Sequence, residues 1–226
     1  MRLLLSLLLV GASLVPVGAQ NTAGVDPLEP ARREFLQGKF DAALAALDRV
    51  TADDGAVKGK LLDLRGLVYL EQQKYDEALA AFRAARDADP AVFPQQAHFG
   101  DTLLRQGKWE EAREAYEEVM RSSNVLMVHE ALRYGVLLTY LGEKDDAGAK
   151  EALDRITFPS ESPAYYYAQS AWAYAHGEKS AGDKWLRSAE EMFKDRKQTS
   201  WFARPLYDLG WIKTKPPLVV QPLAGG

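Results

Sequence analysis

Apolar and small residues recur on a helical period along this chain, and the whole arrangement returns about every 35 residues. Gly38, Gln73, Gly107, Gly142 and Gly177 mark successive breaks, spaced 35, 34, 35 and 35 residues apart. Seven positions before each break stands a small residue: Ala31, Gly66, Gly100, Gly135 and Ser170. Two positions after the breaks stand Phe40, Tyr75, Trp109, Lys144 and Lys179, and five after them Ala43, Ala78, Ala112, Ala147 and Gly182. In the second unit Leu62, Gly66, Tyr69 and Leu70 share one face of a first helix, and Ala78, Phe82 and Ala85 form the inner stripe of a second. Asp89-Pro90 then stops that helix, because proline disfavours helical geometry in the residue before it. The pattern predicts about five helical hairpins. No single hairpin can bury its own apolar faces, so neighbours must stack. The fourth unit fits better with a turn two residues longer, which aligns Ala149, Leu153 and Ile156 with Ala78, Phe82 and Ala85.

The small, aromatic, alanine, aromatic and proline positions Gly66, Tyr69, Ala78, Phe82 and Pro90 resemble the tetratricopeptide repeat. The third unit carries Phe99, Gly100, Leu103, Ala112 and Tyr116, with Asn124 in the proline position. The first unit has a shorter leading helix, with Ala31, Phe35, Phe40, Ala43, Leu47 and Val50, and the last two depart further. The resemblance spans residues 24–195. It implies an all-α fold, a right-handed α-solenoid of about five antiparallel helix pairs plus a C-terminal capping helix. It also implies a concave groove lined by the first helix of each pair. The family's groove positions fall here on Arg32, Lys60, Asp63, Leu67, Glu71, Asp101, Leu104, Arg105, Val136, Tyr140, Tyr167 and Tyr174. Leu67, Asp101, Val136 and Ala171 stand where the family's chaperone-tail clamp carries asparagine, so that ligand is not implied.

Beyond the repeats, the segment Trp201–Trp211 is too apolar to stand free in water, and solenoids need capped ends. It predicts a closing helix whose Trp201, Phe202, Leu206 and Leu209 cover the open end of the fifth unit. Pro205 fits if that helix begins near Arg204 or is kinked. The solenoid with its cap thus occupies residues 24–211, and residues 212–226, rich in proline and glycine, read as a flexible tail.

The first 19 residues stand apart from the repeats. Arg2, the apolar run Leu3–Val10 and the small residues Gly18-Ala19 predict a secretory signal peptide cleaved after Ala19. The rival reading is an uncleaved membrane anchor. Leu3–Val17 is interrupted by Gly11 and Pro16 and is shorter than the ~20 residues a spanning helix needs. Cleavage and a periplasmic location are therefore expected, with no membrane span in the mature chain. Net charge, −4 for the whole sequence, becomes −5 when Arg2 is lost, which argues against a nucleic-acid binder.

The chain has no cysteine and only three histidines, so thiolate chemistry is absent and a histidine metal centre poorly supplied. Neither a metal nor a cofactor is expected. His129-Glu130 lacks the second histidine of a helical zinc motif, since Arg133 stands there. The pairs Glu110-Glu111, Glu117-Glu118 and Asp145-Asp146 point to different sides of a helix and read as solvated faces. Among Tyr165, Tyr166, Tyr167, Trp172 and Tyr174, two readings stand. All are packing, with Tyr166 inward, or Tyr167 and Tyr174 share an exposed stripe. These readings lead to a non-enzymatic scaffold that binds protein or peptide partners in its groove, oligomeric state left open. Two alternatives remain: an envelope enzyme acting on glycan through Asp63, Glu71 or Asp101, which needs carboxylates about 5–9.5 Å apart, and a self-associating architectural protein.

Overall fold

The computed structural model describes residues 26–220 except 53, 90–93, 123–125 and 161. The leader, Pro90, Asn124 and the last six residues of the tail lie outside the described residues. Those described form helices and connections, with no strand among them. Five antiparallel pairs follow in order: α1 (Glu29–Leu36) with α2 (Phe40–Leu47), α3 (Gly55–Glu71) with α4 (Tyr75–Ala88), α5 (Pro94–Arg105) with α6 (Trp109–Ser122), α7 (Leu126–Glu143) with α8 (Asp146–Asp154), and α9 (Ala164–Ala175) with α10 (Lys179–Met192). A last helix, α11 (Arg196–Asp208), follows. Each second helix packs on the first helix of the next pair, and α3, α5 and α7 each pack also on the first helix that follows, which makes the stack an α-solenoid.

The same C-terminal closure ends every first helix. A backbone N–H just past the turn returns to a carbonyl five residues back: Lys39 to Glu34, Lys74 to Tyr69, Lys108 to Leu103, Asp145 to Tyr140 and Glu178 to Ala173, all at 2.8–3.0 Å. The residue before each donor takes a positive φ, 73° at Gly38, 59° at Gln73, 71° at Gly107, 61° at Lys144 and 77° at Gly177. In the fourth unit the turn residue is thus Lys144 and not Gly142. That is the longer turn its second helix calls for, and Ala149, fully buried, takes the alanine position.

The small residues serve contact. A Cβ on Gly66 would lie 2.5 Å from the Phe82 ring, and one on Gly100 would lie 2.5 Å from the Tyr116 ring. In these two pairs the aromatic of the second helix lies directly over the glycine of the first.

The end of the chain departs from the expected cap and tail. α11 starts at Arg196, where the Asp195 carboxylate accepts the Lys197 N–H at 2.8 Å, and it contains Pro205 inside its last turns. Instead of closing the end of the fifth pair, it lies along the inner wall against first helices. Phe202 and Leu206 are buried there, and Phe202 packs on Tyr134 of α7 and Tyr167 of α9. Nor is the following segment loose through Val220: Pro216 is buried, and Leu218 and Val220 pack against the core of the first two pairs. A chain that leaves α11 on the concave side runs back toward the N-terminal pairs, where Leu218 and Val220 find apolar surface.

The concave wall as candidate binding site

The wall of pairs two and three is built as the spacing predicts. Leu67, Leu70 and Glu71 of α3 and Asp101, Leu104 and Arg105 of α5 face one space, because residues three and four apart share a helix face. Opposite them stand Trp201, Arg204, Pro205 and Asp208 of α11, with Pro217 and Leu218 beyond. The cavity left between is about 60 Å³, room for no more than a few waters. The groove of these two pairs is filled by the chain's own C-terminal segment.

Charges join the two sides. Glu71 accepts from Arg105 at 3.1 Å and from Arg204 at 2.8 Å, and Lys215 stands 3.6 Å away. Arg105 also holds Asp208 at 2.9 Å, and Arg204 holds the same carboxylate at 3.1 Å. Burial by itself would raise the pKa of Glu71. The guanidiniums of Arg105 and Arg204 outweigh it and keep the carboxyl below its ordinary range. Asp101 accepts from the Tyr116 hydroxyl at 2.7 Å and from the Trp201 indole N–H at 3.2 Å. Its burial dominates and pushes its pKa up, against the pull of His98 and Tyr116. His98 Nδ1 lies 2.9 Å from the Asp63 carboxylate. Burial disfavours the charged imidazole, yet the Asp63 carboxylate and its hydrogen bond outweigh that and raise the pKa. The three carboxylates of the glycan-enzyme reading are thus each engaged inside the molecule: Asp63 by His98, Glu71 by two arginines, Asp101 by Tyr116 and Trp201.

The remaining groove residues divide. Leu67, Glu71, Asp101, Leu104 and Arg105 line the filled groove, while Asp63 lies behind it on His98. Tyr167 is on the wall but covered, stacked on Phe202 with ring centroids 5.7 Å apart, and burial pushes its pKa up to about 12. Tyr174 does not form an exposed stripe with it. Its ring lies over Gly182, where a Cβ would come within 2.8 Å, and its hydroxyl donates to Asp183 at 2.5 Å. Arg32 turns to Asp26 at 2.7 Å and Glu29 at 3.1 Å, outside the wall, and Lys60 is exposed.

Val136 and Tyr140 point elsewhere. They line a cleft of about 490 Å³ with Met120 of α6 and Glu151, Ala152 and Arg155 of α8, and Arg113 stacks on the Tyr140 ring at 4.1 Å. The cause is the longer turn of this pair. Counting back from Lys144 instead of Gly142 shifts the register by two residues, and at about 100° per residue this rotates the face by about 200°. The wall position equivalent to Tyr167 is then Tyr134, whose hydroxyl donates to the Phe202 carbonyl at 3.0 Å. Tyr134, His98, Arg204 and Asp208 are wall residues the spacing missed. Registering α7 on its longer turn finds Tyr134, and the Arg204/Asp208 pair one turn apart marks a charged stripe on an otherwise apolar helix.

One part of the concave side stays open. Between α9, α10 and residues 210–217 lies a cleft of about 820 Å³ lined by Tyr167, Tyr174, Leu186, Phe193, Trp211 and Ile212, with Lys194 and Lys213 exposed at its rim. Both expected tyrosines thus border it, although neither is exposed. Among the described residues no helix is long and apolar enough to cross a membrane, and no cluster of three or more His, Asp or Glu could hold a metal ion.

Comparison with known families agrees with this architecture. A tetratricopeptide repeat model matches residues 30–92 and 99–165, and a second model of the same repeat matches residues 69–125. No curated protein matches the chain.

Proposed function

Because the chain belongs to the tetratricopeptide repeat family, whose repeats serve protein interaction, we propose that it is a non-enzymatic scaffold binding a protein or peptide partner on its concave side. The observation that carries this reading is the wall's present occupant. A polypeptide segment lies along it, held by buried ion pairs, an indole hydrogen bond and aromatic stacking. Such a surface suits another chain better than a small substrate, since aromatic and arginine anchors dominate protein recognition. Export completes the proposal: the leader pattern of residues 1–19 supports cleavage before Gln20 and work in the periplasm, as part of envelope assembly or organisation.

The test places a photo-crosslinking residue at Lys213, on the rim of the open cleft, and at Lys150 on exposed α8 as a control, in the native envelope. A defined protein adduct from Lys213 and none from Lys150 is expected. Equal adducts from both, or none from Lys213, contradict the concave-side reading. Intact mass and fractionation of the same material test export. A mature chain starting at Gln20 in the soluble envelope fraction is expected, and retention of residues 1–19 in the membrane pellet overturns it.

A further inference from the structure

The polar and apolar stripes of α11 are complementary to the wall position by position. Trp201, Arg204 and Asp208, three and four residues apart, form one stripe and meet Asp101, Glu71 and Arg105 in turn. Phe202 and Leu206, four apart, form the adjacent stripe, and Phe202 lies between Tyr134 and Tyr167. Every charged group that the wall presents here thus has its complement on one short helix. That helix is joined to the solenoid by Phe193–Asp195 alone on its N-terminal side. The space left between it and α3 and α5 holds nothing larger than a few waters, so that stretch of wall accommodates one such segment at a time.

We propose that this wall is a site for a partner protein's amphipathic helix of the same pattern, and that α11 occupies it in cis until such a helix displaces it. The pattern is two adjacent aromatics, an arginine two residues on and a carboxylate four residues after that. The proposal rests on the scaffold reading and gives its partner a chemistry. It has a consequence that a purely structural α11 would not share. A tethered occupant competes at high effective concentration, and apparent affinity for any second ligand falls with the fraction of open sites. Weakening the grip of α11 while leaving the wall intact must therefore strengthen capture of a free helix.

The experiment uses the full mature chain and, as probe, a fluorescein-labelled peptide with the sequence of residues 196–212. Anisotropy is read for the unaltered chain and for Trp201→Ala/Arg204→Ala, whose wall residues are untouched. The double variant should bind the probe about tenfold more tightly or better, and a probe with glutamate in place of Arg204 should bind neither chain. Circular dichroism confirms that the variant keeps its helices. Should it not, hydrogen exchange on the unaltered chain decides: saturating probe should strip protection from residues 196–208 while α3 and α5 keep theirs. Equal affinity for the two chains, equal binding of the charge-reversed probe, or opening of α11 only together with α5 and α9 would overturn the proposal. So would a dimer of the unaltered chain in light scattering that exchanges α11 between copies. A Lys213 adduct in the envelope without any probe binding leaves the scaffold standing and removes the helix chemistry; probe binding without any adduct does the reverse.

Discussion

Replacing Gly100 with alanine adds one methyl group where two helices already share a ring. The new Cβ would lie 2.5, 2.8 and 3.0 Å from three carbons of Tyr116, closer than carbon atoms pack. Retreat is blocked, because the far edge of the same ring lies over Gly135 of α7, at 2.8 Å from where a Cβ there would stand. The ring is buried, and its hydroxyl anchors Asp101 at 2.7 Å, so any tilt also strains the bond to that half-buried carboxyl. Overpacking of this kind costs about 1–3 kcal/mol, and a weakened hydrogen bond to a charged group adds about 1 kcal/mol. Alanine in place of glycine inside a helix returns about 1 kcal/mol. The net loss is then about 2 kcal/mol, or about 4–8 °C in melting temperature for a chain of this size. Urea unfolding of the mature chain measures it, and the same substitution in a Tyr116→Leu background isolates its cause. With the ring gone, Gly100→Ala should become neutral or stabilising, the signature of a direct contact between the two sites. An unchanged midpoint in the natural background, or the same loss in both backgrounds, would refute the account.

Tyr174→Ala and Tyr140→Ala should both lower the urea midpoint. Buried Tyr174 stands at the scale of aromatic truncation, about 3–5 kcal/mol, and half-buried Tyr140 falls below it; unchanged stability for Tyr174→Ala would return that residue to the role of an exposed contact. Glu71→Gln should leave Arg105, Arg204 and Lys215 facing a neutral amide, at a cost of about 1.5–3 kcal/mol for hydrogen bonds to a charged group. Trypsin should then cut after Lys197, inside α11, sooner than in the unaltered chain, and an unchanged cleavage rate would count against these ion pairs as what holds α11 in place. His98 has a folded pKa above its ordinary 6.5, so its contribution is complete below about pH 6.5 and fades as pH rises through the folded value. The urea midpoint should fall between pH 6 and pH 9, and His98→Gln should flatten that fall if the Asp63 contact is its source.

Local sequence determined the repeats of this protein. A positive-φ turn at fixed spacing, a small residue seven positions before it and an alanine five after are set by contacts within one hairpin. Their period is therefore written in neighbouring residues, and pairs two and three fold as that period predicts. The fourth pair shows where the period stops being sufficient. Gly142 sits near the expected break, yet its role is to admit the Trp109 ring, whose atoms would lie 2.9 Å from a Cβ. The turn itself falls on Lys144. Two residues of slippage leave the helix equally apolar while turning Val136 and Tyr140 from the wall and bringing in Tyr134.

The C-terminal segment was decided by tertiary structure alone. Its apolar stripe announced a helix that had to be buried, but the end of the fifth pair and the concave wall are both apolar enough to receive it. The choice is made by partners 133 residues apart at Glu71 and Arg204 and 100 apart at Asp101 and Trp201. No local period records such pairs. Only when the solenoid curves do α3, α5, α7 and α9 present their charges and rings to one space, and only there can the stripe of α11 satisfy all of them at once.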